Sequence, residues 1–173
     1  MESRATQIAR QVEKLKVLVV DDEPAMRKVV RALLQSIGIT DIDDASDGRS
    51  GLEKICSRAP DIVILDWEMP SPNGPEFMRA LRSPGSFPLP DVPVIMLTGY
   101  SEHSRVVEAA RFGVNEFLLK PVSSTALLAR VVSILIKPRP MIRRGDYYGP
   151  EPRQLASYKP DFTSDSSEIA LVD

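Results

Sequence analysis

Four times along this chain a short, mostly apolar run of strand formers stops abruptly at a polar residue able to do chemistry. Lys16-Val17-Leu18-Val19-Val20 ends at Asp21 and Asp22, Ile62-Val63-Ile64-Leu65 at Asp66, Val92 to Leu97 at Thr98, and Glu116 to Leu119 at Lys120. Strands without polar alternation are buried on both faces, as in a parallel sheet covered by helices. Between the runs the period changes. Pro24 opens a helix carrying Met26, Val29, Val30, Leu33, Leu34 and Ile37, and Gly38 stops it. A short strand over Ile42–Ala45 precedes the turn Asp47-Gly48 and a second helix with Leu52 and Ile55 inward. Further helices are predicted over Pro75–Arg82, Ser101–Phe112 and Thr125–Ile136, the last capped by Ser123 or Ser124. Ser83–Asp91 holds Pro84, Gly85, Pro88 and Pro90 and reads as an unusually long loop. Five strands alternating with five helices predict an α/β fold, a flavodoxin-like doubly wound parallel sheet of order 2-1-3-4-5.

The ends of the chain read differently. In residues 1–15, Ile8, Val12 and Leu15 recur at helical spacing and predict an amphipathic N-terminal extension. Residues 16–136 carry the sheet. Residues 137–173 contain five prolines and no sustained period, so they are expected to form a tail with no domain of its own. That tail is split in charge, net +4 up to Lys159 and −4 after it. It reads either as a solvated tail or as a docking strip anchored by Tyr147, Tyr148, Tyr158 and Phe162.

Composition narrows the function. Basic and acidic residues number 22 and 24, so nothing draws the whole chain to nucleic acid, and Arg143-Arg144 alone is too little for direct DNA binding. The lone Cys56 excludes an intrachain disulfide, fits a reducing compartment, and is expected to pack as a small apolar residue. No apolar run reaches membrane-spanning length, and no signal-peptide core precedes Lys16. A cytoplasmic protein is expected.

Alone, Asp66 reads equally well as a cap for the loop behind it. In company the reading sharpens, because ligands of open α/β sheets gather at the carboxyl ends of the strands. Asp21, Asp22 and Asp66 together repel one another and call for a hard divalent cation, most naturally Mg2+. Lys120 offers a point charge, Thr98 a hydroxyl donor, and Asp66 a carboxylate able to accept a phosphoryl group.

With Met69-Pro70 behind Asp66, Gly99 behind Thr98 and Pro121 behind Lys120, the stretch Lys16–Ile136 closely resembles the receiver domain of bacterial two-component response regulators. The resemblance implies a stand-alone, phosphorylation-controlled interaction module and not an enzyme acting on other molecules. Asp66 would accept phosphate from a sensor histidine kinase or phosphotransfer protein. Mg2+ would be held by Asp22, Asp66 and the main-chain carbonyl of Glu68, with Asp21 acting through water. Thr98 would move towards the phosphoryl group, Phe117 would turn inward with it, and the Lys120–Pro121 peptide would be cis. Phe117 stands where the family often has tyrosine, so coupling to Thr98 must be by packing. Glu68 and Tyr100, each two residues past a key group, border the site and should tune the lifetime of the phosphoaspartate.

Two other readings stay open on the residues. One is an aspartate-nucleophile phosphatase of the haloacid dehalogenase type, which also puts an acid behind an apolar strand. The other is a phosphate-independent interaction module on the same fold. For output to a downstream protein target, the last helix carries a second apolar stripe, Leu128, Val132 and Ile136. Val106 and Val114 are expected to extend it over the preceding helix. A second subunit, making a homodimer through this helix–strand–helix face, or the tail would cover the patch.

Overall fold

The computed structural model describes residues 1–99 and 103–152. Helix α1 (Arg4–Glu13) is followed by β1 (Lys16–Val20), α2 (Pro24–Ser36), β2 (Asp41–Ala45), α3 (Gly48–Arg58), β3 (Ile62–Asp66) and α4 (Gly74–Leu81). Then come β4 (Val94–Thr98), α5 (His103–Ala110), β5 (Glu116–Leu119), α6 (Ser124–Ile136), β6 (Met141–Arg144) and β7 (Tyr147–Pro150). Strands β1 to β5 form one parallel sheet in the order β2-β1-β3-β4-β5, as expected from the apolar runs. Local chemistry starts the helices where the sequence places them. Asp47, Asn73 and Ser123 accept hydrogen bonds from first-turn amides, and Pro24 takes a position that needs no donor.

Alternation along each strand divides the apolar side chains between two cores. Leu18, Val20, Val63, Leu65, Val94, Met96 and Phe117 face α3, α4 and α5. Val17, Val19, Ile62, Ile64, Ile95, Leu97 and Leu118 face α2 and α6, and α1 adds Ile8 and Val12 to that side by packing on α6. Both faces are therefore dry, which is why the strands carry no polar alternation. The edge strand β2 is the exception, and its acids are neutralised in pairs. Asp43 meets Lys54 and Arg58, and Asp44 meets Arg27 and Arg31.

Three expectations are corrected. Residues 141–150 are not irregular: β6 and β7 pair as an antiparallel hairpin. Its two-residue loop works because Gly145, at φ +58°, takes the first central position, which side chains disfavour. Val106 and Val114 belong to the core, each 3% exposed, so they cannot extend a surface patch. On α6, Leu128 and Ile136 are exposed while Val132 is half-buried against the core. Cys56 lies exposed on α3 and is not packed. The tail aromatics Tyr158 and Phe162 fall outside the described residues.

The long loop proves to be the hairpin's seat. Arg82, at the end of α4, is 7% exposed and forms no ion pair with a carboxylate among the described residues, although the Asp91 charge acts on it. Its guanidinium instead donates to the carbonyls of Gly113, Pro90 and Val92 and to the side-chain oxygen of Asn115. Burial lowers its pKa to about 10, which leaves it charged at neutral pH. Above it, the Tyr148 hydroxyl donates to Asp91, and Arg139 donates to the Asn115 and Glu151 carbonyls. Gly149 lies against Gly113, where a Cβ would come within 2.8 Å of the Gly113 Cα. Removing the guanidinium strands several buried carbonyls at once. Arg82→Met is therefore expected to cost about 3 kcal/mol or more in urea denaturation, against less than about 1 kcal/mol for Arg79→Met on the exposed side of the same helix.

Candidate functional site

Strands β1, β3, β4 and β5 lie side by side, and their carboxyl ends bring the predicted groups together. Asp21, Asp22 and Asp66 each offer a carboxylate oxygen, all within 4.8 Å of one another. Asp21 and Asp66 are buried and Asp22 is exposed at the mouth. The turn behind β1 holds Asp21 in place. Glu23 N–H donates to its Oδ1 at 2.9 Å, and Arg27 donates to its carbonyl at 2.8 Å. Its other oxygen, Oδ2, is buried with no hydrogen-bond partner. An orphaned carboxylate oxygen facing two further carboxylates suits a hard cation or its bound water, so the donor set fits Mg2+.

Lys120 reaches across from the end of β5 and donates to Asp66 Oδ1 at 2.8 Å. Its peptide to Pro121 is cis. Burial disfavours the ammonium, but the hydrogen bond to Asp66 and the charges of Asp66, Asp21 and Glu68 outweigh it and raise its pKa. Burial is also the main cause that pushes the Asp21 pKa up to about 6, with the Asp66 charge adding to it and the Glu23 amide opposing it.

Thr98, buried at the end of β4, donates to Glu68 Oε1 at 2.5 Å. This partner was invisible in the sequence, where Glu68 offered its carbonyl to the cation and its bulk and charge to the lifetime of the phosphoaspartate. The loop after β3 explains the contact. The Trp67 ring lies so close over Gly74 that a Cβ there would come within 2.3 Å of it, and Gly74 N–H donates to the Trp67 carbonyl. Asn73 and Glu76 cap α4 reciprocally, which fixes the loop's far end. Phe117, expected to turn inward, is already inward, 8% exposed within the core beneath α5. Tyr100 lies outside the described residues.

A buried acid with two further acids and an ammonium against it stands at the carboxyl edge of a doubly wound sheet, where such folds keep their ligands. The comparison with known proteins agrees: the chain belongs to the response regulator receiver domain family, whose sequence profile matches residues 17–132. The chemotaxis protein CheY of Pseudomonas aeruginosa is 33% identical over 120 residues, covering 69% of this chain and 95% of that protein. The structure of Vibrio cholerae CheY4 superposes with a TM-score of 0.60 at 32% identity, over 68% of this chain and 95% of that one. A putative response regulator from Chloroflexus aurantiacus gives 0.65 at 27% identity, over 71% and 98%. Family membership sets aside the dehalogenase-type phosphatase, and receivers of this kind are signalling proteins, not classical enzymes. Among the described residues no helix is long and apolar enough to cross a membrane.

The crowding of acids has a stability consequence. With the Asp21 pKa raised from 3.8 to about 6, protonation favours the folded state. That contribution is complete below the ordinary value and is lost as pH rises through about 6. Asp21→Asn cannot ionise. With a chelator present it should unfold at higher urea than the parent at about pH 8, by roughly 1–3 kcal/mol, and match it near pH 4. Trp67 fluorescence, one residue from Asp66, reports the transition.

Proposed function

We propose that Asp66 is the phosphoacceptor and that a sensor histidine kinase or phosphotransfer protein supplies the phosphoryl group. The Lys120–Asp66 contact carries this reading, because it sets a mobile positive charge on the oxygen-bearing group that reacts. A carboxylate oxygen of Asp66 attacks phosphorus, the phosphorus–nitrogen bond of phosphohistidine breaks, and the leaving imidazole takes up a proton. Lys120 then passes from Asp66 Oδ1 to a phosphoryl oxygen. Asp22, Asp66 and the Glu68 carbonyl would hold Mg2+, with Asp21 bound through water, and the cation would neutralise charge on the phosphoryl oxygens.

Thr98 can give its hydroxyl to the phosphoryl group only by releasing Glu68. Glu68 thus acts as a placeholder that holds Thr98 in the unphosphorylated arrangement, and its charge opposes the incoming anion. Phe117 follows Thr98 by repacking within the core beneath α5, since no inward swing is left to it. Output passes to a downstream protein. On α6 the apolar contact for a target or a second subunit reduces to Leu128 and Ile136, exposed at 37% and 38%.

With Mg2+ and a small phosphodonor, the chain should gain one acid-labile phosphoryl group, and Asp66→Asn should lose it without loss of fold. Persisting label at the same site in that variant would overturn the assignment. Glu68→Gln should speed labelling roughly fivefold, the worth of one charge-assisted hydrogen bond of about 1 kcal/mol. In a Thr98→Ala background that gain should shrink. An equal gain with and without the Thr98 hydroxyl would show that Glu68 acts by charge alone.

A further inference from the structure

At the end of the sheet opposite Asp66, the β6–β7 hairpin leaves one strand edge open beside two exposed arginines. We propose that the outer edge of β6, which carries Arg143 and Arg144, is a docking site for an extended acidic segment of a partner protein. The segment adds to the hairpin as a third strand.

The hairpin is seated by its β7 side. The Tyr148 carbonyl faces Gly113, Gly149 packs on the same residue, and the Tyr148 hydroxyl is tied to Asp91. At its base, Glu151 N–H donates to the Pro140 carbonyl, and Arg139 grips the Asn115 and Glu151 carbonyls. Strand β6 is therefore the outer strand, held firmly with its far edge turned away from the domain. Arg144 and Tyr147 flank the two-residue loop. Such flanking pairs exchange both hydrogen bonds, and alternation sends the N–H and C=O of the next pair outward. In β7 that residue is Tyr148, whose carbonyl indeed points out at Gly113. In β6 it is Arg143, followed by Met141. Among the described residues nothing meets their outward backbone groups.

Charge marks this edge. Arg143 and Arg144 on β6 are exposed, as are Arg79 and Arg111 on the domain, and none of them has a carboxylate within ion-pair range among the described residues. Arg79 lies over the Phe112 ring at 5.2 Å and Arg143 over the Tyr148 ring at 5.6 Å. Phe112 adjoins Gly113, which touches the Tyr148 carbonyl, so Arg79 lies on the β7 side of the hairpin while Arg143 and Arg144 belong to β6 itself. In a chain of net charge −2 this is a local excess of cations.

The two features together select the occupant. A second copy pairing edge to edge would bring Arg143 and Arg144 against their own kind. A nucleic acid would use the arginines but could donate nothing from its backbone phosphates to the strand's carbonyls. An acidic strand uses both, by backbone pairing and by charge. Arginine on an open edge also discourages aggregation. That role needs only repulsion between copies, whereas docking needs attraction to acidic groups.

The test uses the full chain and a labelled peptide of alternating valine and glutamate, eight residues long. Binding should weaken with salt, and the Met141 and Arg143 amide protons should become protected from exchange. Arg143→Glu and Arg144→Glu should each weaken binding about tenfold or more while circular dichroism stays unchanged. A version N-methylated at alternate residues should fail to bind. The idea is overturned if no binding is seen at millimolar peptide, or if the lysine counterpart or the N-methylated peptide binds equally well. It is equally overturned if duplex DNA binds more tightly than the peptide, or if protection in the free chain rises with protein concentration, which marks a second copy. Protection in the free chain that disappears when Asp161, Asp165, Glu168 and Asp173 are replaced by their amides would make the chain's own tail the occupant and would also overturn it.

Discussion

Carboxylates that share a dry corner need a counter-charge, and this need governs the functional end of the molecule. Asp21 and Asp66 are buried because they terminate strands that are themselves buried on both faces. Lys120 is the only ammonium brought against them among the described residues, and its bond to Asp66 answers part of the repulsion. What remains falls on Asp21, whose second oxygen has no partner and whose proton is held to about pH 6. The site is thus short of positive charge by construction. A site so arranged favours whatever supplies that charge, a cation above all, and on the proposed reading the phosphoryl oxygens would compete for Lys120 and Thr98.

Glu68 refines that picture. A carboxylate two residues beyond the reacting acid would be expected to point to water, since nothing in a side chain's sequence position fixes its direction. Here the loop is pinned at both ends, by Trp67 against Gly74 and by the Asn73–Glu76 cap, so Glu68 turns back to Thr98. Thr98 is therefore held by a bond of its own. If its hydroxyl turns to a phosphoryl group as proposed, switching depends on the difference between those two bonds and not on the strength of either.

How far the sequence foretold this can be judged residue by residue. Uninterrupted apolar runs announce doubly covered strands, and the polar residue that ends each run lies by topology at the ligand edge, so Asp21, Asp66, Thr98 and Lys120 were legible together. The contacts that escaped are those made by side chains through turns. Arg82 carries no sequence signal, because its partners are main-chain carbonyls that any residue could provide. Val106 and Val114 were assigned to the surface because a helical stripe shows which residues are apolar but not how wide the core contact is. The hairpin was missed because Pro138, Pro140 and Pro150 suggested irregular chain, whereas Pro150 ends the outer part of β7 and Gly145 supplies the turn.

The hairpin also gives the long loop its reason. A stretch holding Pro84, Pro88 and Pro90 looks like a spacer, yet Arg82 draws its carbonyls inward and Asp91 holds Tyr148. Loop and hairpin depend on each other. Without the hairpin, Gly113 and the region over Arg82 would face water; without Arg82, the carbonyls under the hairpin would lose their donor. The family resemblance stops at residue 132, but the cooperative packing runs on to Glu151. These additional residues therefore act as an integral buttress at the end of the sheet opposite the acids. They join the start of β5, the end of α5 and the loop before β4 through Arg82, Arg139 and Tyr148. If Thr98 and Phe117 act as proposed, a rearrangement begun at the acidic end would meet these contacts at the far ends of β4 and β5.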